Sequence, residues 1–351
     1  MKVFYALLAG ALSVTLSLSA TAADRSFDVV VLPGVVAALF DDQERTVART
    51  RSGVFFHLTL DEDGRFRANG LAYYAPPKAS WRADMLPDGL LALGSGAIKE
   101  AYLVGPTSRY RHGVMGNAIE AAGLRVITRG GGTLEFRLPP GSVFEGLMPS
   151  LEDVDGDGNN EVVVVCSYLD AEAAVAVLGV RDGALVLIAE TEPIGRSNRW
   201  LNPVGVADFD ADGRPEVAVV KTPHIVGILE LYELVDDAVR TDLSTRGYSS
   251  HFIGSRDLFP SRVIDVDRDG VLDVVVPSAD RGALRFIGVA KDKINDLGTE
   301  QLPVRAQTNM LPIDPKTCSF AFGLANGALA VVLWVGDQTL ISHRLAPKIF
   351  G

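Results

Sequence analysis

The sequence predicts an all-β fold made of similar, roughly four-stranded sheets, and three observations carry that prediction. The 351 residues include 35 glycines and 18 prolines, a turn-rich composition that weighs against long helices. Apolar runs are short, about four to eight residues, and alternate with turn chemistry, which is the pattern of strands. The third observation is an internal repeat of about 55 residues, long enough for one sheet of four strands.

In chain order the first element is an export signal. Lys2 precedes an apolar stretch from Val3 to about Leu18, and Ser19-Ala20-Thr21-Ala22-Ala23-Asp24 follows. A positive start, an apolar run and small residues at an A-x-A site read as a secretory signal peptide over residues 1–22. The expected compartment is therefore the periplasm or the exterior. The mature chain has no further apolar run of 18 residues, so no membrane insertion is expected after cleavage. Cleavage removes Lys2 and no acid, which leaves 32 basic and 44 acidic residues and a net charge of −12. That balance excludes a general nucleic-acid binder and a polybasic lipid-docking face. With 48% hydrophobic and 22% charged residues the chain is not intrinsically disordered. Cys166 and Cys318 both fall in apolar runs. Two cysteines make no disulfide scaffold, and they either pair or stay apart as small core residues.

The repeat is clearest in three segments that align without gaps. They are Asp153-Val-Asp-Gly-Asp-Gly-Asn-Asn-Glu161, Asp208-Phe-Asp-Ala-Asp-Gly-Arg-Pro-Glu216 and Asp265-Val-Asp-Arg-Asp-Gly-Val-Leu-Asp273, with starts 55 and 57 residues apart. Pro149, Pro203 and Pro260 precede them, and the β-branched runs Val162–Val165, Val217–Val220 and Val274–Val276 follow. A polar turn then leads into Ala173–Val180, Ile225–Leu231 and Ala283–Val289. Units of this length and strand content match the blades of a β-propeller. The expected single domain is 23–351, with its clearest repeats at 149–202, 203–259 and 260–306. Length divided by the repeat gives six blades; about 27 strand-like segments give nearly seven. Seven is the expectation and six the alternative.

Acid spacing in these segments specifies a chemistry. Carboxylates at positions 1, 3 and 5 of a tight loop converge, and glycine at 6 permits the turn. A backbone carbonyl at 7 and an acid at 9 complete an oxygen shell, the donor set of a hard divalent cation, calcium. The expected ligands are Asp153, Asp155, Asp157, Asn159 and Glu161; Asp208, Asp210, Asp212, Arg214 and Glu216; and Asp265, Asp267, Asp269, Val271 and Asp273. Asn159, Arg214 and Val271 would act through backbone carbonyls, and about three ions are expected. Position 12 is Val164, Val219 or Val276, so the bidentate glutamate of an EF-hand is missing. The three loops contribute 12 acids, and without them the mature chain holds 32 acids against 32 bases. Asp84 to Gly89 keeps only part of the pattern and is expected to hold no ion. Asp61–Gly64 reads as a hairpin turn, and the last unit around Asp314 has lost the acidic loop.

The motif D-x-D-x-D-G-x-x-[DE] before an apolar strand, every 50 to 60 residues, resembles the FG-GAP or VCBS repeats of integrin-α-type β-propellers. The resemblance covers about residues 149–290 and implies calcium loops between the two inner strands of each blade. It also supports seven blades with short first ones.

In such a propeller the strand 2–3 turns and the blade-to-blade linkers lie opposite the calcium loops. The sequence puts Arg196, Arg199, Trp200, Lys221, His224, Tyr248, His251 and Arg256 there, with Arg109-Tyr110-Arg111-His112 of the same character. Cations beside aromatics suit an anionic or sugar-like ligand. The same segments also serve as ordinary polar connectors, with Trp200 and Tyr248 plugging between blades. No G-x-S-x-G, H-E-x-x-H, Walker A or G-x-G-x-x-G motif occurs. The expected function is a monomeric binding module for a protein or glycan, and no catalytic residue is assigned. The alternative is a hydrolase or lyase with His, Lys and Arg in the central funnel.

Overall fold

The computed structural model describes residues 25–41, 45–75, 82–195, 199–290, 293–314 and 317–334. The expected signal peptide and Arg196 lie outside them.

Strand β1 (Arg25–Val30) comes first among the described residues and pairs with their last strand. Blade 1 follows as β2 (Val36–Asp41), β3 (Thr46–Thr50), β4 (Phe55–Leu60) and β5 (Phe66–Leu71), each antiparallel to the next. The Asp61–Gly64 segment is the expected hairpin turn: Asp61 Oδ1 accepts the amides of Asp63 and Arg65 at 3.1 and 2.9 Å. Blade 2 is β6 (Ala92–Leu93), β7 (Ile98–Thr107), β8 (Glu120–Thr128) and β9 (Thr133–Arg137). A short strand, β10 (Ser142–Phe144), then joins β8 to the second strand of blade 3. Blade 3 is β11 (Ser150–Glu152), β12 (Glu161–Tyr168), β13 (Glu172–Arg181) and β14 (Ala184–Glu190).

Blade 4 is β15 (Leu201–Ala207), β16 (Glu216–Lys221), β17 (Ile228–Val235) and β18 (Ala238–Arg246). Blade 5 is β19 (Arg262–Ile264), β20 (Asp273–Pro277), β21 (Ala283–Val289) and β22 (Ile294–Gln301). Blade 6 is β23 (Leu311–Pro312), β24 (Phe320–Gly323) and β25 (Leu329–Trp334), completed on its outer edge by β1. The 25 strands of the described residues thus group as six fours plus β10, and β10 runs blades 2 and 3 into one nine-stranded sheet. Element starts differ from the apolar runs in places. Residues such as Ile225 and Val226 are apolar yet lie in a turn before β17, so β17 begins three residues after the apolar run does. Gly227 ends that turn at φ +61°, and a Cβ there would sit 1.5 Å from the Tyr248 carbonyl oxygen.

The core lies in the seams between neighbouring sheets. Leu103, Phe144 and Leu178 pack between blades 2 and 3; Val163, Trp200 and Val217 between blades 3 and 4. Phe209, Val220 and Val276 fill the next seam. Phe286 and Phe320 meet Trp334 between blades 5 and 6, with ring centroids 6.4 and 6.2 Å from the indole. Leu58 and Val331 pack between blades 6 and 1. Each such side chain contributes about 1.5–3 kcal/mol on burial. Cys166 and Cys318 are both buried and free, and so do not pair.

Alternation of strand direction gives the propeller two faces. The strand 1–2 loops and strand 3–4 turns share one, here the loop face. The strand 2–3 turns and the linkers share the other, the linker face. Among the described residues no helix is long and apolar enough to cross a membrane.

Candidate functional site

All three acidic loops lie on the loop face, between the innermost strand and the second strand of blades 3, 4 and 5. Their hydrogen bonding repeats from loop to loop. The two oxygens of the position 1 aspartate accept amides within the loop: Gly156 and Gly158 on Asp153, Asp212 and Gly213 on Asp208, Arg268 and Gly270 on Asp265, all between 2.7 and 3.1 Å. The acid at 9 opens the next strand and accepts the amide of position 2. Glu161 takes Val154 at 3.2 Å, Glu216 takes Phe209 at 2.8 Å and Asp273 takes Val266 at 2.7 Å. The glycine at 6 is left-handed in each, with φ +87°, +93° and +90°.

This backbone brings carboxylates together. Oxygens of Asp208, Asp210, Asp212 and Glu216 lie within 4.8 Å of one another, as do those of Asp153, Asp155 and Glu161, and of Asp265, Asp267 and Asp269. Asp157 and Asp273 stand outside these groups and instead accept amides, Asp157 from Asn159 at 2.7 Å. Burial, with the neighbouring aspartates adding to it, pushes Glu161 up to about 7 and Glu216 and Asp273 up to about 8. An all-oxygen set with a buried acid held at this cost fits a hard divalent cation. In the first loop the Asn159 side chain turns to the neighbouring blade, where its Oδ1 accepts the Ala97 amide at 3.1 Å.

On the linker face the centre is a histidine pair. His224 Nε2 and His251 Nδ1 are 2.8 Å apart, and His251 Nε2 reaches the Ser255 carbonyl at 3.1 Å. The second bond fixes the tautomer: His251 donates from Nε2 to Ser255 and accepts from the His224 Nε2–H. Trp200 stacks on His224 at 6.2 Å and meets His251 edge-on at 4.9 Å. Burial first, then neighbouring positive charge from His251, His112 and Arg281, drives His224 down to about 4; burial and Arg281 do the same to His251.

Both values lie below the ordinary one, so the folded state binds fewer protons than the unfolded state between pH 6.5 and 4. Stability from the neutral pair is full above that window and is lost as pH falls through it. The difference in unfolding free energy between wild type and a His224→Gln/His251→Gln variant is expected to shrink by about 2–4 kcal/mol from pH 7.5 to 4.5. Denaturant melts of both proteins check this, and a constant difference would rule it out.

The remaining expected residues separate. Tyr248 is only 3% exposed and its ring packs in the seam of blades 4 and 5, under Arg285, so it fills a gap and does not face a ligand. Trp200 is likewise buried and reaches the face only through His224. Lys221 points to Glu230, 3.5 Å away. Arg256 bonds the Met115 carbonyl at 3.0 Å and Asp88 at 2.9 Å, beside an open depression of about 630 Å³ edged by Gly89, Asn117 and Leu147.

Sequence reading did not find a second polar centre. The strand 2–3 loop of blade 2, residues 108–119, reaches over to the linker between blades 4 and 5, where the Gly254 amide donates to the Val114 carbonyl at 2.7 Å. His112 Nδ1 lies 2.8 Å from the fully buried Glu145, whose other oxygen accepts Ser167 Oγ at 2.6 Å. Burial lowers the basicity of His112, but the Glu145 bond and the charges of Glu145 and Glu172 more than offset it and raise it. Glu120, buried next to Glu145, is pushed up to about 9 by burial and by that charge. Below these residues the inner strands leave a cavity of about 80 Å³ lined in part by Glu145, Glu152 and Asn202.

Residues 153–219, which hold the first two acidic loops, match the FG-GAP-like repeat family. No curated protein matches the chain. A crystal structure of BBS1N in complex with ARL6DN, soaked with lead, is similar at 10% identity and TM-score 0.50, over 92% of this chain and 100% of that one. The mercury-soaked form of that complex gives 11% identity, TM-score 0.49, and 87% and 95% coverage. The WD40 domain of Toxoplasma gondii coronin gives 10%, 0.41, and 94% and 90%. With antiparallel strands in successive groups of four and that repeat match spanning the third and fourth of them, the chain folds as a β-propeller that carries an FG-GAP-like repeat over residues 153–219.

Proposed function

We propose that this chain is an exported, calcium-stabilised propeller that binds a protein or glycan on its linker face. One observation carries the reading: the two faces have opposite chemistry. Twelve carboxylates of the acidic loops gather on one face, where a cation offsets their repulsion. Arg199, Arg281, the histidine pair and Phe252 gather on the other, over a scaffold that leaves loops free to vary. The repeat family and the propeller fold support an interaction module in general. The positive start and A-x-A site of the first 22 residues support export.

The test is retention of ligands from the extracytoplasmic fraction and from a glycan array by the purified chain. Arg199→Ala or His224→Ala is expected to lower retention about fivefold or more and to leave unchanged the rise in melting temperature that calcium produces. Retention that survives both substitutions removes the linker-face site.

A further inference from the structure

We infer that the linker face over blades 4 and 5 docks an acidic polypeptide segment that carries aliphatic side chains. This rests on the binding-module reading and specifies the partner's chemistry. Among the described residues, ten large apolar side chains are exposed, and nine of them lie in strand 2–3 turns or linkers; the exception is Leu187 on β14. None lies in an acidic loop. A distribution this one-sided marks a contact surface, since singly exposed apolar residues would scatter over both faces.

Three of the nine form one patch. Ile225 and Val226 follow His224 in the turn of blade 4, and Ile253 follows His251 and Phe252 in the adjoining linker; they are 57%, 43% and 70% exposed. The 2.8 Å bond between His224 and His251 ties the two segments together beneath them. Cations border the patch. The Arg281 guanidinium lies 4.6 Å over the Phe252 ring, and the Ala306 amide bonds the Arg281 carbonyl, which places the exposed Arg305 alongside. The acid there, Asp280, already accepts Ser278 Oγ at 2.6 Å and the Gly282 amide at 2.9 Å.

Charge selects the occupant. Aliphatic side chains next to two guanidinium groups, of which Arg305 faces the single acid Asp280, complement carboxylates next to aliphatic side chains. An anionic bilayer fits less well, because it would press on the whole linker face, where Asp170 and Glu192 are also exposed in other turns and linkers, whereas a short peptide covers only the patch beside Arg281 and Arg305. A sugar would leave the three aliphatic side chains unmatched.

The experiment uses the calcium-loaded mature chain and three immobilised pools of 12-residue peptides: Glu mixed with Leu and Val, Lys mixed with Leu and Val, and Glu mixed with Ser. The first pool is expected to bind at least about tenfold better than the others and to weaken with salt. Ile225→Ser/Ile253→Ser and Arg305→Glu should each cut that binding about tenfold with the melt unchanged, since these side chains are mostly in solvent. Equal or absent binding of the pools, indifference to both variants, or stronger binding to phosphatidylethanolamine–phosphatidylglycerol vesicles overturns the inference. If a ligand is captured through Arg199 and His224 while both patch variants behave as wild type, only the inference falls. If neither set matters, the binding-module reading falls with it.

Discussion

Withdrawing divalent cations from the purified chain is expected to lower its melting temperature by on the order of 10 °C, with millimolar calcium restoring it. Extracellular calcium sites bind at about 10⁻⁴–10⁻³ M. At about 10 mM calcium that stabilises the folded state by about 1.4–2.7 kcal/mol per site, or about 4–8 kcal/mol over three sites. An unfolding entropy near 2 cal/mol/K per residue turns this into a shift of about 6–12 °C. The sign with pH is opposite in the two states. Glu161, Glu216 and Asp273 have folded values raised to about 7, 8 and 8 without a metal, so the folded chain binds more protons than the unfolded one between pH 4.5 and 8. Chelated protein should therefore gain stability as pH falls across that window. Calcium requires these groups ionised, so its affinity should fall as pH falls over the same interval. Calorimetry with EDTA and with calcium at pH 5.5 and 8 reads both effects. A melting temperature indifferent to chelator would leave the loops as plain acidic turns.

The second large effect concerns closure. A chain that begins at Val31 is expected to lose cooperative unfolding and to aggregate. β1 pairs residue for residue with β25 from Arg25↔Trp334 to Val30↔Leu329, and it supplies the outer strand of the last blade. Leu329–Trp334 is apolar and buried along its whole length, so removing β1 bares an uncharged edge of the kind that recruits other strands. Arg25 also lies 3.9 Å over the Phe286 ring of blade 5, and Phe27 and Val29 pack on that cluster, so the seam loosens as well. Light scattering and a thermal melt of the truncated chain check this, and recovery of a soluble ring by added Arg25–Val30 peptide would tie the defect to the missing strand. A truncated monomer melting within a few degrees of the intact chain would show that the ring holds without it.

The acidic loops were legible because ligand chemistry constrains residue type and spacing together. Three carboxylates two residues apart and a glycine at the sixth position leave few backbones, and the structure uses the same one three times, with left-handed residues even at Ala211 and Arg268. The strands after the loops were legible for a similar reason, since runs such as Val162–Val165 are buried on both faces. The linker face was legible only as a list of segments. His224 and His251 meet although 27 residues separate them, and His112 finds Glu145 across 33. Tyr248 looked like His251 in sequence but went into a seam.

Local chemistry in the sequence thus determined the all-β class, the repeat, the place of the carboxylates and the face left for binding. Those features depend on neighbours within about ten residues, which the chain states outright. Tertiary structure alone decided how β10 joins two blades into one sheet, the pairing of β1 with β25, the histidine pair under Ile225 and Ile253, and the buried Glu145. Each depends on which blades stand beside or across from one another, and that follows from how wedge-shaped sheets pack around an axis and not from any local spacing.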